Sequence, residues 1–134
     1  MTKSVKFGDR TLVLSSLVVP SDPLPDEGYL VLLPAFSESE NINSLEVARF
    51  YMGSLCKELC CVGANATKLE EEIDGILEDA GLFIPTTAVL DEDACDYFLF
   101  GADAGVARYL FAPVEGHPDL VATLIAMAQS FKKI

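Results

Sequence analysis

Polar residues that could bind a ligand follow several apolar segments of the chain. The first group lies in the turn from Gly63 to Thr67. The backbone amides of such a turn can hold a phosphate group, and Asn65 and Thr67 could add side-chain contacts. The turn lacks the glycine spacing of dinucleotide-binding loops and the lysine of a P-loop. Glutamates also follow it at positions 70–72, and their charge would repel a phosphate. A tight turn that caps a helix is the simpler interpretation.

A second group, Asp91, Glu92, Asp93 and Asp96, carries carboxylates that could hold a hard cation such as Mg²⁺. The favourable field at the start of a helix explains the same acids equally well. His117 is the only histidine, so a histidine-rich zinc site is excluded, and its position before a proline is typical of a helix start. No nucleophile motif of the Gly-x-Ser-x-Gly type occurs. We therefore predict no catalytic residue, no metal site and no cofactor.

The chain contains four cysteines, at positions 56, 60, 61 and 95. Cys60 and Cys61 are adjacent in a predicted strand, where neighbouring side chains point to opposite faces, so they cannot easily bind one ion together. Cys56 is expected on the preceding helix. Nothing else indicates a disulfide-stabilised secreted protein, and free thiols in the reducing cytoplasm are the better interpretation.

The composition excludes some classes of partner. The chain of 134 residues carries 21 acidic and 9 basic residues, a formal net charge of −12. Such a charge repels nucleic acid and anionic membranes, so we expect neither as a partner. The basic and then apolar beginning imitates a signal peptide, but Asp9 and Ser15 interrupt it, and no apolar run reaches the roughly 18 residues of a membrane span. We expect a cytoplasmic protein with one domain over residues 1–134.

Alternating strand and helix signals predict the fold class. An N-terminal hairpin within residues 1–19 turns at Gly8-Asp9, and a breaker-rich loop separates it from the alternating units of residues 29–134. In those units we expect strands at 29–35, before Gly63, at 85–90 and at 108–113, and helices at 43–59, 67–80, 91–102 and from Pro118. This alternation predicts a three-layer α/β sandwich: a mainly parallel sheet of about four strands, helices on both faces, and the hairpin at an edge.

Capping patterns predict where the helices begin and where a ligand would bind. Asn43 and Thr67 each have a glutamate three residues later, the spacing of a capping box, and Gly81 is well placed to end the second helix. Residues 36–42 would then form a loop at the carboxyl end of a strand. In open α/β sheets ligands bind beyond such ends. The candidate ligand-binding residues are therefore Asn65, Thr67, Asp91, Asp93 and His117.

Aromatic residues outside the core-facing stripes of two helices predict an interaction surface. The stripe of the first long helix passes through Leu45, Ala48 and Met52, at helical spacing. Exposed aromatic side chains are typical of a surface that binds a partner, and the alternative is that these helices are buried on two sides. The candidate interface residues are Phe50, Tyr51, Tyr97 and Phe100.

Several short stretches together resemble an uncharacterised bacterial α/β domain family, a domain of unknown function. They are the cysteine-containing strand that ends at Gly63, the Glu-Glu-Ile-Asp of 71–74, and Thr86-Thr87 followed by the acids of 91–93. They cover about the central half of the chain. The family pattern leads us to expect an aromatic residue and a histidine near 88–90, where this chain has Ala-Val-Leu. The resemblance implies a small Rossmann-like or flavodoxin-like sandwich and transfers no catalytic residue.

Two functional hypotheses follow from the sequence. The leading one is a non-catalytic cytoplasmic module for protein interaction or regulation, which forms a homodimer or binds another protein. It rests on the missing catalytic motifs and on the four aromatic residues. The alternative is a binder of a nucleotide-like or other small metabolite, or an enzyme acting on one, that uses the loops at the carboxyl ends of the parallel strands.

Overall fold

The structure, a computed structural model, describes residues 2–131. Its strands are β1 (Lys3–Phe7), β2 (Arg10–Leu14), β3 (Tyr29–Pro34), β4 (Cys56–Val62), β5 (Thr86–Val89) and β6 (Tyr109–Ala112). Its α-helices are α1 (Glu38–Tyr51), α2 (Ala66–Ala80), α3 (Ala94–Asp96) and α4 (Pro118–Ser130). A π-helical turn (Tyr97–Gly101) and a 3-10 turn (Ala102–Gly105) follow α3 directly.

The strands form one six-stranded sheet in the order β1-β2-β6-β3-β4-β5. β1 pairs antiparallel with β2 around Gly8-Asp9, where Gly8 has a positive φ of 65°. All other neighbouring strands are parallel. The α/β class, the mainly parallel sheet and the N-terminal hairpin are therefore confirmed. The expectation of about four parallel strands is corrected, because β2 pairs in parallel with β6 and so belongs to both the hairpin and the parallel sheet.

Apolar side chains fill both faces of the sheet. Every residue of β3 is buried, and its side chains alternate between the two faces. Leu30 and Leu32 pack in the cluster that contains residues of α3 and α4, whereas Val31 and Leu33 pack in the cluster that contains residues of α1 and α2. Each such side chain contributes about 1.5–3 kcal/mol when it is buried. Helices on both faces are thus required to cover a strand with no polar alternation.

Helix α1 begins at Glu38 and not at Asn43 as expected. Its N-cap is Ser37, whose hydroxyl accepts a hydrogen bond from the backbone N–H of Glu40 at 3.2 Å. The pair Ser37 and Glu40 also has the spacing of a capping box, and it lies closer to the end of β3 than the alternative pair. Most of the expected loop 36–42 is consequently helical.

The end of α1 and its buried face also differ from expectation. The helix ends at Tyr51 and not at Leu59, and Cys56 begins β4, so the placement of Cys56 on this helix was wrong. With Ser37 and not Asn43 as its N-cap, the helix also turns different side chains towards the sheet. The buried residues of the helix are Asn41, Ser44, Val47, Ala48 and Tyr51.

Helix α2 begins at Ala66, whose N–H donates to the carbonyl of Gly63 at 3.1 Å. Asn65 is the N-cap residue and makes no side-chain cap bond, so the capping box expected from Thr67 is not formed. The predicted end is confirmed. Gly81 has the left-handed conformation, with φ of 69°, that stops a helix without a Cβ penalty.

The helix expected over 91–102 is interrupted, because α-helical structure spans only α3 before the chain changes to π and then 3-10 geometry. Arg10, a buried residue of β2, donates from Nε to the carbonyl of Ala107 at 2.7 Å and from Nη1 to the carbonyl of Leu99. These bonds tie both sides of the irregular segment to the sheet. Between them Asp103 and the residue after it have positive φ angles of 51° and 54°.

Helix α4 starts as predicted, with His117 at its N-cap and Pro118 in its first turn. Among residues 2–131, no helix combines the length and the apolar character that crossing a bilayer would demand.

Gly63 lies where the turn after β4 meets the end of β3. Its φ is 124°, and a Cβ at this position would lie 2.6 Å from the carbonyl carbon and oxygen of Ala35. The turn is held there because the N–H of Asn65 donates to the same carbonyl at 2.7 Å. This position therefore requires glycine for both its conformation and its close approach.

We expect Gly63→Ala to lower the free energy of unfolding by about 2 kcal/mol or more, through backbone strain and steric contact. The matched control is Gly75→Ala in α2, where a Cβ meets no other atom within 4 Å. That variant should gain about 0.5–1 kcal/mol, because alanine favours a helix over glycine. Urea unfolding of both variants measures the difference, and equal losses would contradict the constraint at Gly63.

Candidate functional site

The neighbouring strands β3 and β6 lead to helices on opposite faces of the sheet. β3 continues into α1, whose buried residues pack with those of α2, whereas β6 continues into α4, which packs on the face of α3. Parallel neighbours whose connections leave in opposite directions form a topological switch point, and the diverging loops leave a crevice between them. The candidate site lies at this place.

Glu40 and His117 join the two diverging loops. His117 Nε2 lies 2.6 Å from Glu40 Oε2, and their side chains are 25% and 19% exposed. Glu40 comes from the first turn of α1, and His117 caps the N-terminus of α4. The other carboxylate oxygen of Glu40 accepts the backbone N–H of Phe36 at 2.8 Å. Both oxygens of one carboxylate are therefore used, one on each side of the switch point.

This hydrogen bond determines the tautomer of the imidazole. An ionised carboxylate can only accept, so His117 Nε2 carries the proton that it donates to Glu40. In the neutral imidazole, Nδ1 is then left with a free lone pair. The ring of Phe36 packs against the imidazole with a centroid separation of 4.3 Å, which helps to hold its orientation. His117 can accordingly accept a hydrogen bond or a proton at Nδ1.

A cleft of about 550 Å³ opens beside His117, between α3 and α4. Its apolar lining includes the ring of Phe36 and the side chains of Cys95, Leu120 and Met127. The acidic lining residues are Asp91, Glu92, Asp96 and Asp119.

The structure brings two of the five predicted ligand-binding residues to this cleft, namely Asp91 and His117. Asp93 is the N-cap of α3 and does not line the cleft. Asn65 and Thr67 lie at the start of α2, on the other face of the sheet, where the carbonyl of Asn65 accepts the amide of Asn41 at 3.3 Å. These three residues do not join the site.

Glu40 and Phe36 belong to the site but were not among the five candidate residues, although their segment, 36–42, was expected at the carboxyl end of a strand. The Ser37–Glu40 spacing was the available signal, because it places a helix start directly after β3 and a carboxylate in the first turn. Its contact with His117 spans 77 positions of the chain, and no local pattern encodes a contact of that separation.

Metal-ligating side chains do not converge within residues 2–131, where no group of three or more His, Cys, Asp and Glu residues has a geometry that could hold an ion. Among the described residues, the acids that line the cleft therefore do not converge as the ligands of one ion. This arrangement suits an extended ligand better than a bound ion.

All four cysteines are free and buried. Cys60 and Cys61 face opposite sides of the sheet, as predicted. Burial raises the pKa of the Cys56 and Cys61 thiols to about 12 each, and it also raises the pKa of Cys60, with a further contribution from the Glu58 carboxylate. Since the thiolate is the nucleophile, these thiols are poorly suited to covalent catalysis at neutral pH.

The predicted interface residues are less exposed than the sequence suggested. Tyr51 is only 2% exposed, because α1 turns it towards the sheet, where its ring lies 5.0 Å from that of Phe111. Phe50, Tyr97 and Phe100 are half-buried and pack against the two core clusters. The expectation that Tyr51 is exposed is therefore corrected.

Comparisons with protein-family models, with curated proteins and with solved structures found no match for this chain. The resemblance to an uncharacterised bacterial domain family stays a prediction.

Glu40→Gln should invert the tautomer of His117 while keeping the site assembled. The Gln carbonyl oxygen can still accept the Phe36 N–H, which leaves the amide NH₂ to donate to Nε2 and moves the imidazole proton to Nδ1. Nitrogen NMR of the single histidine reports which ring nitrogen is protonated in each protein.

The control for this experiment is Glu38→Gln. Glu38 is exposed and contacts Lys68, not His117, so the wild-type tautomer should be retained. An unchanged His117 spectrum in Glu40→Gln would contradict the bond between the two side chains.

Proposed function

We propose that this protein binds a small organic molecule in the switch-point cleft. The observation that carries the proposal is the hydrogen bond between Glu40 and His117, which crosses the switch point and presents a fixed imidazole to the cleft. The lining combines apolar surface with a positioned imidazole and acidic side chains, and small-molecule sites likewise combine apolar surface with placed polar groups. We take this alternative as the leading hypothesis in place of a protein-interaction module.

The size of the cleft supports a ligand of metabolite size. A volume of about 550 Å³ lies within the roughly 300–1,000 Å³ range of ligand pockets. The position supports the same conclusion, because open α/β sheets bind their ligands at switch points. Position alone would be a weak argument, and here it coincides with a specific pair of side chains.

The charges at the cleft argue against a phosphorylated ligand. The first turns of α1 and α4 would normally attract an anion, but Glu38, Glu40 and Asp119 occupy them. Two like charges about 4 Å apart near a protein surface repel by about 4 kcal/mol. A nucleotide-like ligand, one of the classes considered from sequence, is therefore the less favoured choice.

We propose binding, because the oriented imidazole of His117 gives the cleft a hydrogen-bonding group that can position a ligand. The cysteine thiols are buried and free, with raised pKa values. Free thiols are typical of a reducing compartment, and they therefore support the cytoplasmic location that we propose.

A thermal-shift screen of amines, amino acids, carboxylic acids, sugars and nucleotides should yield a ligand that raises the unfolding midpoint. Ligand at a hundred times its Kd contributes about 2.7 kcal/mol to the folded state. Gly116→Trp should abolish the shift by filling the cleft, since Gly116 lines it and has open space around its α-carbon.

The matched control is Gly75→Trp, which adds the same side chain on the exposed part of α2 and should keep the shift. A hit that survives Gly116→Trp would place the binding elsewhere. No hit from any of these classes would count against the proposed function.

A second candidate function, a homodimeric interaction module, is favoured by one observation. Phe83, in the turn between α2 and β5, is 100% exposed beside the 39% exposed Leu82. A fully exposed aromatic side chain is typical of a binding surface.

If this surface forms the homodimer, light scattering of the wild-type protein should give the dimer mass, and Phe83→Ser should give a monomer. Val106→Ser is the control, because Val106 is 66% exposed at a different place, and it should leave the dimer intact. A monomeric wild-type protein at high concentration would contradict the homodimer.

A further inference from the structure

We propose that the ligand of the switch-point cleft is a small organic cation: an amine or guanidine group attached to an apolar body. This inference rests on the proposed function and names the chemical class of its ligand. The cleft and the Glu40–His117 pair form the binding site, and the charges of the residues that line the cleft determine which chemical class of ligand it favours.

The lining of the cleft has one sign of charge. Among residues 2–131 it contains four carboxylates, from Asp91, Glu92, Asp96 and Asp119, and no lysine or arginine. Its only basic side chain, His117, already donates to the carboxylate of Glu40. A cleft lined by one sign of charge concentrates ligands of the opposite sign.

Within the described part of the chain, those four carboxylates also have no ion-pair partner. Among residues 2–131 the salt bridges join Lys68 to Glu38, Arg108 to Asp9 and Glu27, and His117 to Glu40, and none reaches an acidic residue that lines the cleft. With no partner among the described residues, these exposed lining acids leave their charge available to a ligand.

The remaining lining fits a cation with an apolar body. Phe36, Leu120 and Met127 offer apolar surface, and an aromatic ring such as that of Phe36 also attracts cations. The free Nδ1 lone pair of His117 can accept an N–H from an ammonium or guanidinium group. The acidic groups, the aromatic ring and the imidazole acceptor would thus contact the cationic end of the ligand, and the apolar side chains would contact its apolar body.

A divalent metal ion would not use this arrangement. Hard cations require several oxygen ligands converging on one point, and within the described residues no such group exists. A singly charged organic cation does not need such a ligand set, and an acidic lining can attract it through space.

The test compares three probes of similar shape: phenethylamine, phenethyl alcohol and phenylacetate. Proton–nitrogen NMR spectra of the labelled protein report where each probe binds and how tightly. We expect phenethylamine to shift the resonances of Gly116 and His117, to bind more tightly than the alcohol, and to weaken as salt is added. Phenylacetate should not bind there.

Two double variants isolate the contribution of the cleft acids. Asp91→Asn with Asp96→Asn should weaken the amine roughly fivefold, since each exposed charge pair contributes little. Asp26→Asn with Asp79→Asn changes the net charge equally at exposed positions outside the cleft and should leave the affinity unchanged.

The outcomes separate this inference from the proposed function. Cleft resonances that respond to the alcohol or the carboxylate as strongly as to the amine would overturn the cationic class and leave the cleft as the site. Equal weakening of amine binding by both double variants would also overturn the cationic class. The amine would then be attracted by the net charge of the protein and not by the acids of the cleft. A third outcome is that none of the three probes binds, while the screen finds a ligand of another class whose binding Gly116→Trp removes. That outcome would overturn the cationic ligand class and leave the proposed binding site intact.

Discussion

The parallel pairing of β3 with β6 is the constraint on which the rest of the structure depends. β3 is buried on both faces, so it must lie inside the sheet, and β6 is its neighbour. Because the two strands continue into helices on opposite faces, the chain cannot fill the space beyond their carboxyl ends. The meeting of Glu40 with His117 follows from this one pairing, and the cleft between α3 and α4 opens beside His117.

Glu40 combines a local role with a long-range one. In the first turn of α1 its carboxylate accepts the Phe36 N–H, which is a helix-start function. Its second oxygen binds His117, which belongs to the other half of the sheet. Partly buried polar groups need partners, and a carboxylate has enough acceptor positions to serve both. The start of α1 and the geometry of the cleft are in this way coupled through one side chain.

The elements could be predicted from sequence where the signal was local and strong. Apolar residues without polar alternation indicated β3, Pro118 indicated the start of α4, and Gly81 indicated the end of α2. Prediction failed where two local signals competed or where a distant residue intervened. Asn43 and Ser37 are both suitable N-caps for α1, and the structure uses Ser37. The helix expected over 91–102 is irregular in the segment whose carbonyl groups, at Leu99 and beyond it at Ala107, accept hydrogen bonds from the buried Arg10.

The sequence by itself determined the α/β class, the hairpin around Gly8 and the acidic character of the protein, because hydrophobic period, turn residues and charge are properties of neighbouring positions. Only the tertiary structure decided the strand order, the parallel pairing of β2 with β6 and which polar loops meet. Asp91 and His117 share a cleft whereas Asn65 does not, although all three follow strands. Strand order results from the competition of all strands to bury their faces, and that competition involves the whole chain at once.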